Sequence, residues 1–400
     1  MGQEKSKWME AENRGWCELD GYVCAECVED EFLKDIIRKN VSRRLCDYCE
    51  RKTRAHSAAP VSILMEPVGN AVFYHFNDPT KSGVPHDEGF IIESTDTIDV
   101  LNALSFGCHD RLFDDIANAF TNQEWVRAAG GNWASSHPHE AMSESWSNFA
   151  NIVQHNVRFF FQHPSTSNAT SWQEYGPQQI LPVIGKLVKK LKLLNKLPVG
   201  IDLFRVRERL EDADWELNDE QMGAPPPEKA SAGRMNPAGI SYLYLAFEQE
   251  TALAEVLSRP SSEAAIAYFV TQRDVNVLDL TNLPSKPSIF DNVHRSEREG
   301  ILFLEIFADD ISKPVQKNGR EHIEYVPSQV VSEYFALLFK THLGKNLDGI
   351  AYRSSVRPNG RNLVLFPTER GFPRKFDQVK FRHAREQTLS DWTEFSTAIA

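Results

Sequence analysis

Apolar residues recur at helical spacing through the first half of the chain and gather in short, strand-like runs through the second. Phe32, Leu33, Ile36 and Ile37 in DEFLKDIIRKN predict one short helix. From Ser62 to Leu197 the same three-and-four spacing returns in Leu112, Ile116, Ala119 and Phe120, in Trp146, Phe149, Val153 and Val157, and in Leu181, Ile184, Leu187, Val188 and Leu191. The polar stretches HFNDPTKSGVPHDEG, AAGGNWASSHPHE and HPSTSNATSWQEYGPQQ read as loops between these helices. Near Leu197 the pattern changes. KLPVGIDLFRVRERL carries a short strand, and ISYLYLAF, AIAYFV, VNVLDL, LDGIAYRS and NLVLFP carry others, with QETALAEVL and SQVVSEYFALLFKTHL as helices among them. The acidic, proline-rich EDADWELNDEQMGAPPPEKASAG reads as irregular and as a flap over a site. The expected fold class is α+β, with a helical N-terminal half and a mixed or antiparallel sheet in the C-terminal half.

A length of 400 residues exceeds what one hydrophobic core normally holds, which predicts two domains in several segments. The expected boundaries are 1–56, 57–197, 198–370 and a tail at 371–400. A net charge of -12 argues against a general nucleic-acid or anionic-membrane binder, because no broad surface neutralises phosphates. No apolar run reaches the roughly 20 residues of a membrane span. The polar opening MGQEKSKWMEAENRG lacks a signal-peptide core, so a cytoplasmic protein is expected.

Four of the six cysteines form the pairs Cys24/Cys27 and Cys46/Cys49. Each pair supplies two thiolates from one tight turn, the pattern of a tetrahedral four-cysteine zinc site with no open position for catalysis. In a reducing compartment metal is the better assignment than disulfides. Cys17 and Cys108 read as ordinary cysteines. Arg51 and His56 have the spacing of HEPN-class RNases, but they follow the knuckle directly and read as a solvated basic turn. His137 and His139 flank a proline with no regular acidic partner and read as loop histidines. His155 and Arg158 allow no more than a polar contact.

The stretch SAGRMNPAGISYLYLAFEQETALAEVL spreads Arg234, Tyr244 and Glu255 over a loop, a strand and a helix. A fixed cation, an aromatic edge and a carboxylate together suggest a pocket for a phosphorylated, ring-bearing ligand. No GxGxxG follows a strand and no GxxxxGK[ST] occurs, so the standard nucleotide loops are absent. Taken residue by residue, bland readings compete: a surface ion pair for Arg205 or Arg234, sheet packing for Tyr242 and Tyr244, a solvated Glu255. Tyr242 and Tyr244 point the same way in a strand, so one in a cleft implies the other nearby. Ser328 follows Pro327 and reads as an N-cap that also contacts an anion, since helix N-termini do both. It is not a nucleophile, because no histidine base supports it; His322 is near in sequence only.

Arg205 in LFRV, Arg234 in GRMNPAG, Tyr244 in YLYLAF, Glu255 in TALAEV and Ser328 in VPSQ resemble, in order and spacing, the motifs of the RES domain. The resemblance runs from about Leu203 to Pro367 and takes in DGIAYRSS and NLVLF. The N-terminal half, with VCAECVEDEFLKDII and CDYC, is similar to the HEPN/RES N-terminal domain. The resemblance implies a fold like that of ADP-ribosyltransferases and an enzyme that degrades NAD by releasing nicotinamide, of toxin type and opposed by an antitoxin protein. It implies that Glu255, Arg234 and Tyr244 are catalytic. It further implies that Arg205, Arg234, Tyr244, Ser328, Tyr352, Ser354 and Asn362 bind substrate, and that ADP-ribose passes to water or to inorganic phosphate. Two alternatives stay open: transfer of ADP-ribose to a macromolecule, and RNA binding or cleavage by the knuckle with Arg51 and His56.

Overall fold

The computed structural model describes residues 9–84, 92–161, 174–208, 216–256, 263–313, 319–368 and 375–388. The chain divides into two compact units, residues 1–140 with 285–300, and residues 141–284 with 301–400. This departs from the expected boundaries. The helices of 141–197 belong to the second unit, and residues 285–300 return to the first.

In the first unit α1 (residues 9–14) precedes β1 (Tyr22–Cys24), which pairs antiparallel with β2 (Ala58–Pro60). Between them α2 (Glu31–Lys39) forms where the spacing predicts it. Asp30 caps it by accepting a hydrogen bond from the Leu33 amide at 3.1 Å, and Leu33 and Ile37 bury one face. Next come α3 (Met65–His75), β3 (Phe76–Asn77), β4 (Thr95–Asp96), α4 (Thr97–Ala103), α5 (Asp110–Ala119) and β5 (Glu124–Arg127). The strands β3, β5 and β4 form a small antiparallel sheet that the apolar spacing hides, because each is only two to four residues long. Trp125, Leu33, Leu64, Leu101 and Leu112 are fully buried at the centre of this unit's core.

The second unit is built on one eight-stranded sheet, ordered β13-β9-β7-β8-β12-β11-β10-β6. Its helices and strands follow in chain order. They are α6 (Pro138–Asn151, entering from the first unit), α7 (Pro177–Lys190), β6 (Leu194–Leu197), β7 (Asp202–Glu208), α8 (Asp219–Met222), β8 (Leu243–Ala246), α9 (Gln249–Val256), β9 (Glu263–Thr271) and β10 (Val275–Asp279). After these come α10 (Arg295–Ser312), α11 (Glu321–Glu324), α12 (Val326–Glu333), β11 (Gly349–Arg353), β12 (Arg361–Leu365) and β13 (Val379–Thr388). Among the described residues only β10 and β11 pair in parallel, so the sheet is mixed as expected. One face packs on α6, α7, α10 and α12 through Phe149, Ile184, Phe303, Phe307, Val331 and Ile350. On the same face, over β7 and β9, α9 lays Ala252 and Leu253 against Val206 and Ile266. Leu257, the last residue of QETALAEVL, lies outside the described residues.

Three expectations need correction. Residues 371–400 are not a plain tail, since β13 pairs along the whole of β9; residues 389–400 lie outside the described set. The segment expected to be a flap is anchored through 216–233: α8 forms there, Met222 is fully buried in the sheet core, and Ser241 Oγ donates to the Pro225 carbonyl at 2.5 Å. Residues 211–215 of that segment lie outside the description. Ser328 is not the cap of α12 but its third residue, because the helix already starts at Val326.

Candidate functional site

The cysteine cluster forms locally. Cys24 ends β1, Cys27 ends the turn that follows, and Cys46 and Cys49 sit in the loop after α2. Their sulfurs are 3.7 Å apart for Cys24 and Cys27, 3.5 Å for Cys24 and Cys49, and 3.6 Å for Cys27 and Cys46, and all four lie within 4.8 Å of one another. Four ligands at a Zn–S distance of about 2.3 Å in a tetrahedron would stand about 3.8 Å apart, so the set is compatible with zinc. Burial pushes the Cys24 thiol up to about 11. Burial thus favours the thiol at Cys24, and a central divalent cation is what would stabilise a thiolate there.

Arg51 and His56 are both exposed and lie in irregular chain outside any helix, which gives the RNase spacing no supporting geometry. His137 and His139 join a buried network instead of standing as loose loop residues. His137 Nε2 is 3.1 Å from His75 Nδ1, and His139 Nδ1 is 2.6 Å from Glu299 Oε2. The Tyr74 hydroxyl donates to Glu299 Oε1 at 3.4 Å. Burial and the neighbouring His137 push His75 down to about 4. The missing acidic partner was Glu299, 160 positions away from His139, and so invisible to local spacing.

The second centre opens where two strands part. β7 and β8 pair only at Phe204 and Ala246. The positions that would continue the ladder, Arg205, Val206, Tyr244 and Leu245, line a cavity of about 170 Å³ together with Glu255, Tyr352 and Asn362. Register places Tyr352 beside Asn362, Asn362 beside Ala246, and Val364 beside Tyr244, so Tyr244, Tyr352 and Asn362 share one face of the sheet.

Glu255 projects from the exposed side of α9 to the cavity rim. Its Oε1 accepts from Asn362 Nδ2 at 2.6 Å and from Ser354 Oγ at 2.7 Å. Ser354 is itself held by the amides of Val356 and Arg357 at 3.3 and 3.2 Å. Two donors on one oxygen fix the carboxylate's rotation.

Arg205 is half-buried as a residue, but its Nη1 is shut off from solvent and has no hydrogen-bond partner among the described residues. Burial, then the neighbouring Arg207, push the guanidinium down to about 9, so it remains a cation at neutral pH. Arg207, two positions along the same strand, is also lowered by burial. No motif singles it out in the sequence, although a second arginine at strand period two falls on the same side as the first.

Arg234 and Ser328 are not among the residues lining this cavity. The Arg234 guanidinium donates to the carbonyls of Ile311, at 3.1 Å, and Lys313 at the end of α10, and lies 5.9 Å from the Tyr325 ring centroid. Ser328 Oγ is 2.5 Å from the Arg234 carbonyl and 2.9 Å from that of Tyr325. Both residues line a separate cavity of about 340 Å³ with Trp146 and Tyr325. Tyr244 links the two places. Its hydroxyl accepts from the Met235 amide at 2.9 Å and donates to Asn236 Oδ1 at 2.7 Å, while its ring lines the Glu255 cavity. Gly233 is required beside it, since a Cβ there would stand 2.8 Å from that hydroxyl and 2.6 Å from Asn236 Oδ1. Tyr242 packs 5.1 Å from Phe366, centroid to centroid, and does not line the Glu255 cavity.

An α+β domain whose mixed sheet splits over a buried guanidinium, a ring wall and a carboxylate is thus the class of protein that fold and site define. Family comparison sharpens it: residues 202–389 match the RES domain and residues 39–167 match the HEPN/RES N-terminal domain 1. The chain is a RES-domain protein with an N-terminal HEPN/RES domain, and its sheet domain is of the ADP-ribosyltransferase-like kind. At family level the RES domain supports an NAD-utilising enzyme of toxin type and implies NAD as substrate. No curated protein and no solved structure matches the chain. Among the described residues no helix is long and apolar enough to cross a membrane.

Proposed function

We propose that the cavity between β7, β8 and α9 cleaves the nicotinamide–ribose bond of NAD, passing ADP-ribose to water or to inorganic phosphate. The observation that carries this reading is that Arg205, whose Nη1 is buried and unpartnered among the described residues, lines the same cavity as Glu255. A desolvated cation without a counter-ion is costly, and a ligand phosphate removes that cost on binding. Arg205 grips the pyrophosphate, with Arg207 as a second cation beside it. A cavity of about 170 Å³ takes a ring and not a whole dinucleotide, so the reacting end enters and the adenosine lies outside it.

As the glycosidic bond breaks, the electron pair leaves with nicotinamide and positive charge builds on the ribose. The Glu255 carboxylate stabilises that oxocarbenium-like state through the oxygen not held by Asn362 and Ser354. Water attack then gives ADP-ribose and a proton, whereas phosphate attack gives ADP-ribose 1″-phosphate. The ring of Tyr244 and that of Tyr352 wall the pocket. Arg234 and Ser328 enter as supports of the loop that holds Tyr244. A direct phosphate contact by Arg234 requires its guanidinium to leave the α10 carbonyls.

Incubating the purified chain with NAD, with and without phosphate, and identifying the products by mass spectrometry tests the reading. Free nicotinamide with ADP-ribose or its phosphate is expected. Intact NAD, or label transferred to protein or nucleic acid, contradicts it. In cells, growth arrest on expression, relieved by Glu255→Gln or by a cognate antitoxin protein, is the expected toxin behaviour.

A further inference from the structure

A larger cavity of about 550 Å³ lies elsewhere in the second unit and shares no lining residue with the Glu255 cavity. One wall is apolar: Tyr242 and Phe366 pack tilted against each other, and Ile240, Leu337 and Leu347 extend the surface. The polar side is unbalanced. Arg273 is already saturated, its fork donating to Asp348 at 2.7 and 3.1 Å and to Asp377 at 3.1 and 3.3 Å. Glu333 faces the same space from the end of α12 with no cation or donor beside it among the described residues, and burial alone raises its carboxyl above the usual range. Gln378 is a second unmet acceptor. It is almost wholly buried, its Nε2 is committed to the Phe366 carbonyl at 2.7 Å, and its Oε1 has no donor.

Acceptors without donors, on the edge of an aromatic and aliphatic wall, define what would complete them. We propose that this cavity binds a small organic cation: a primary amine on an apolar or aromatic body, the ammonium set against Glu333 and Gln378 and the body against Tyr242 and Phe366. The size fits, because cavities of about 300–1,000 Å³ are those that enclose small organic ligands. The charge fits too. An ammonium has donors only, and it supplies Glu333 with the counter-ion that Arg273 cannot. The site is independent of the NAD reading, although the two cavities draw on two of the same elements: Tyr242 and Tyr244 flank or lie on β8, and Asn362 and Phe366 lie on or just after β12.

The test titrates the full chain with phenethylamine and with 2-phenylethanol, its uncharged counterpart, by calorimetry, alongside the variants Glu333→Gln and Ala336→Trp. Saturable binding of the amine is expected, about tenfold tighter than the alcohol. Glu333→Gln is expected to remove that tenfold preference, and Ala336→Trp, which fills the cavity from its wall, to abolish binding while the far-ultraviolet spectrum stays unchanged. NAD is expected not to compete. The proposal is overturned by absence of saturable binding up to about 10 mM, by equal affinity for amine and alcohol, or by competition with NAD together with indifference to Glu333→Gln.

Discussion

In the first unit, four sulfurs from the stretch Cys24–Cys49 come within 4.8 Å of one another around one turn and one loop. In the second, the cavity draws Arg205, Tyr244, Glu255, Tyr352 and Asn362 from β7, β8, α9, β11 and β12. The first centre is complete within the chain: four soft ligands at metal-binding separation leave no position for a substrate. The second is incomplete, with a guanidinium whose buried Nη1 has no hydrogen-bond partner among the described residues. A centre whose ligands are all present holds a fold together, whereas one that leaves a charge unmet is arranged around something that arrives.

The largest effect expected from this contrast is on the sulfur side. Binding free energies of structural zinc are on the order of 10 kcal/mol and are folding free energies. Wild-type protein should carry about one zinc per chain by elemental analysis, and Cys24→Ser should lose it, with amide exchange across α2 rising to that of unfolded peptide. Retained protection without metal would show the cluster to be mere packing.

Arg205→Met sharpens the other side. Replacing an unpaired buried cation by an apolar chain of similar length should leave thermal stability unchanged or raised by about 1 kcal/mol. KM for NAD should rise roughly 100-fold, as expected for loss of a charge-assisted phosphate contact. A destabilised variant with unchanged KM would mean that the arginine serves the fold.

A third prediction concerns the histidine network. His75 has a folded pKa pushed down to about 4, below the ordinary 6.5 of an unfolded chain, so the unfolded state binds the extra proton first. The neutral-His contribution is therefore intact above about pH 6.5 and declines from there toward pH 4, by on the order of 2 kcal/mol. Denaturant titrations at pH 7.5 and 5.0 should show this loss for wild type, and a smaller one for His75→Phe. The smallest effect belongs to Ser354→Ala. With Asn362 still donating to Glu255 Oε1, kcat should fall only several-fold, and a larger loss would place Ser354 in contact with substrate.

What could be read from the sequence follows the same division. The CxxC pairs, α2, α5 and α7 are determined by neighbours within a few turns, so periodicity and spacing find them. Arg205, Tyr244, Glu255 and Asn362 were reached through a family resemblance, and geometry brings them to one cavity. Local pattern could not show that β7 and β8 separate after a single pair, because the parting depends on α9 and on distant strands. Nor could it show that Arg234 turns to the α10 carbonyls or that Ser328 serves the Arg234 loop, since both partners lie far along the chain. β13 escapes the apolar pattern because KFRHAREQT is polar and charged, as suits the edge of a sheet, and Met222 because one methionine in an acidic stretch has no period.

The measurement closest to the centre of this account is the initial rate of nicotinamide release from NAD by wild type and Glu255→Gln, with NAD affinity measured in parallel. The glutamine keeps the hydrogen-bonding shape at the cavity rim and removes only the charge. The account predicts a rate lowered by roughly 1,000-fold with affinity nearly unchanged. Equal rates for the two proteins, or loss of affinity as large as the loss of rate, would contradict it.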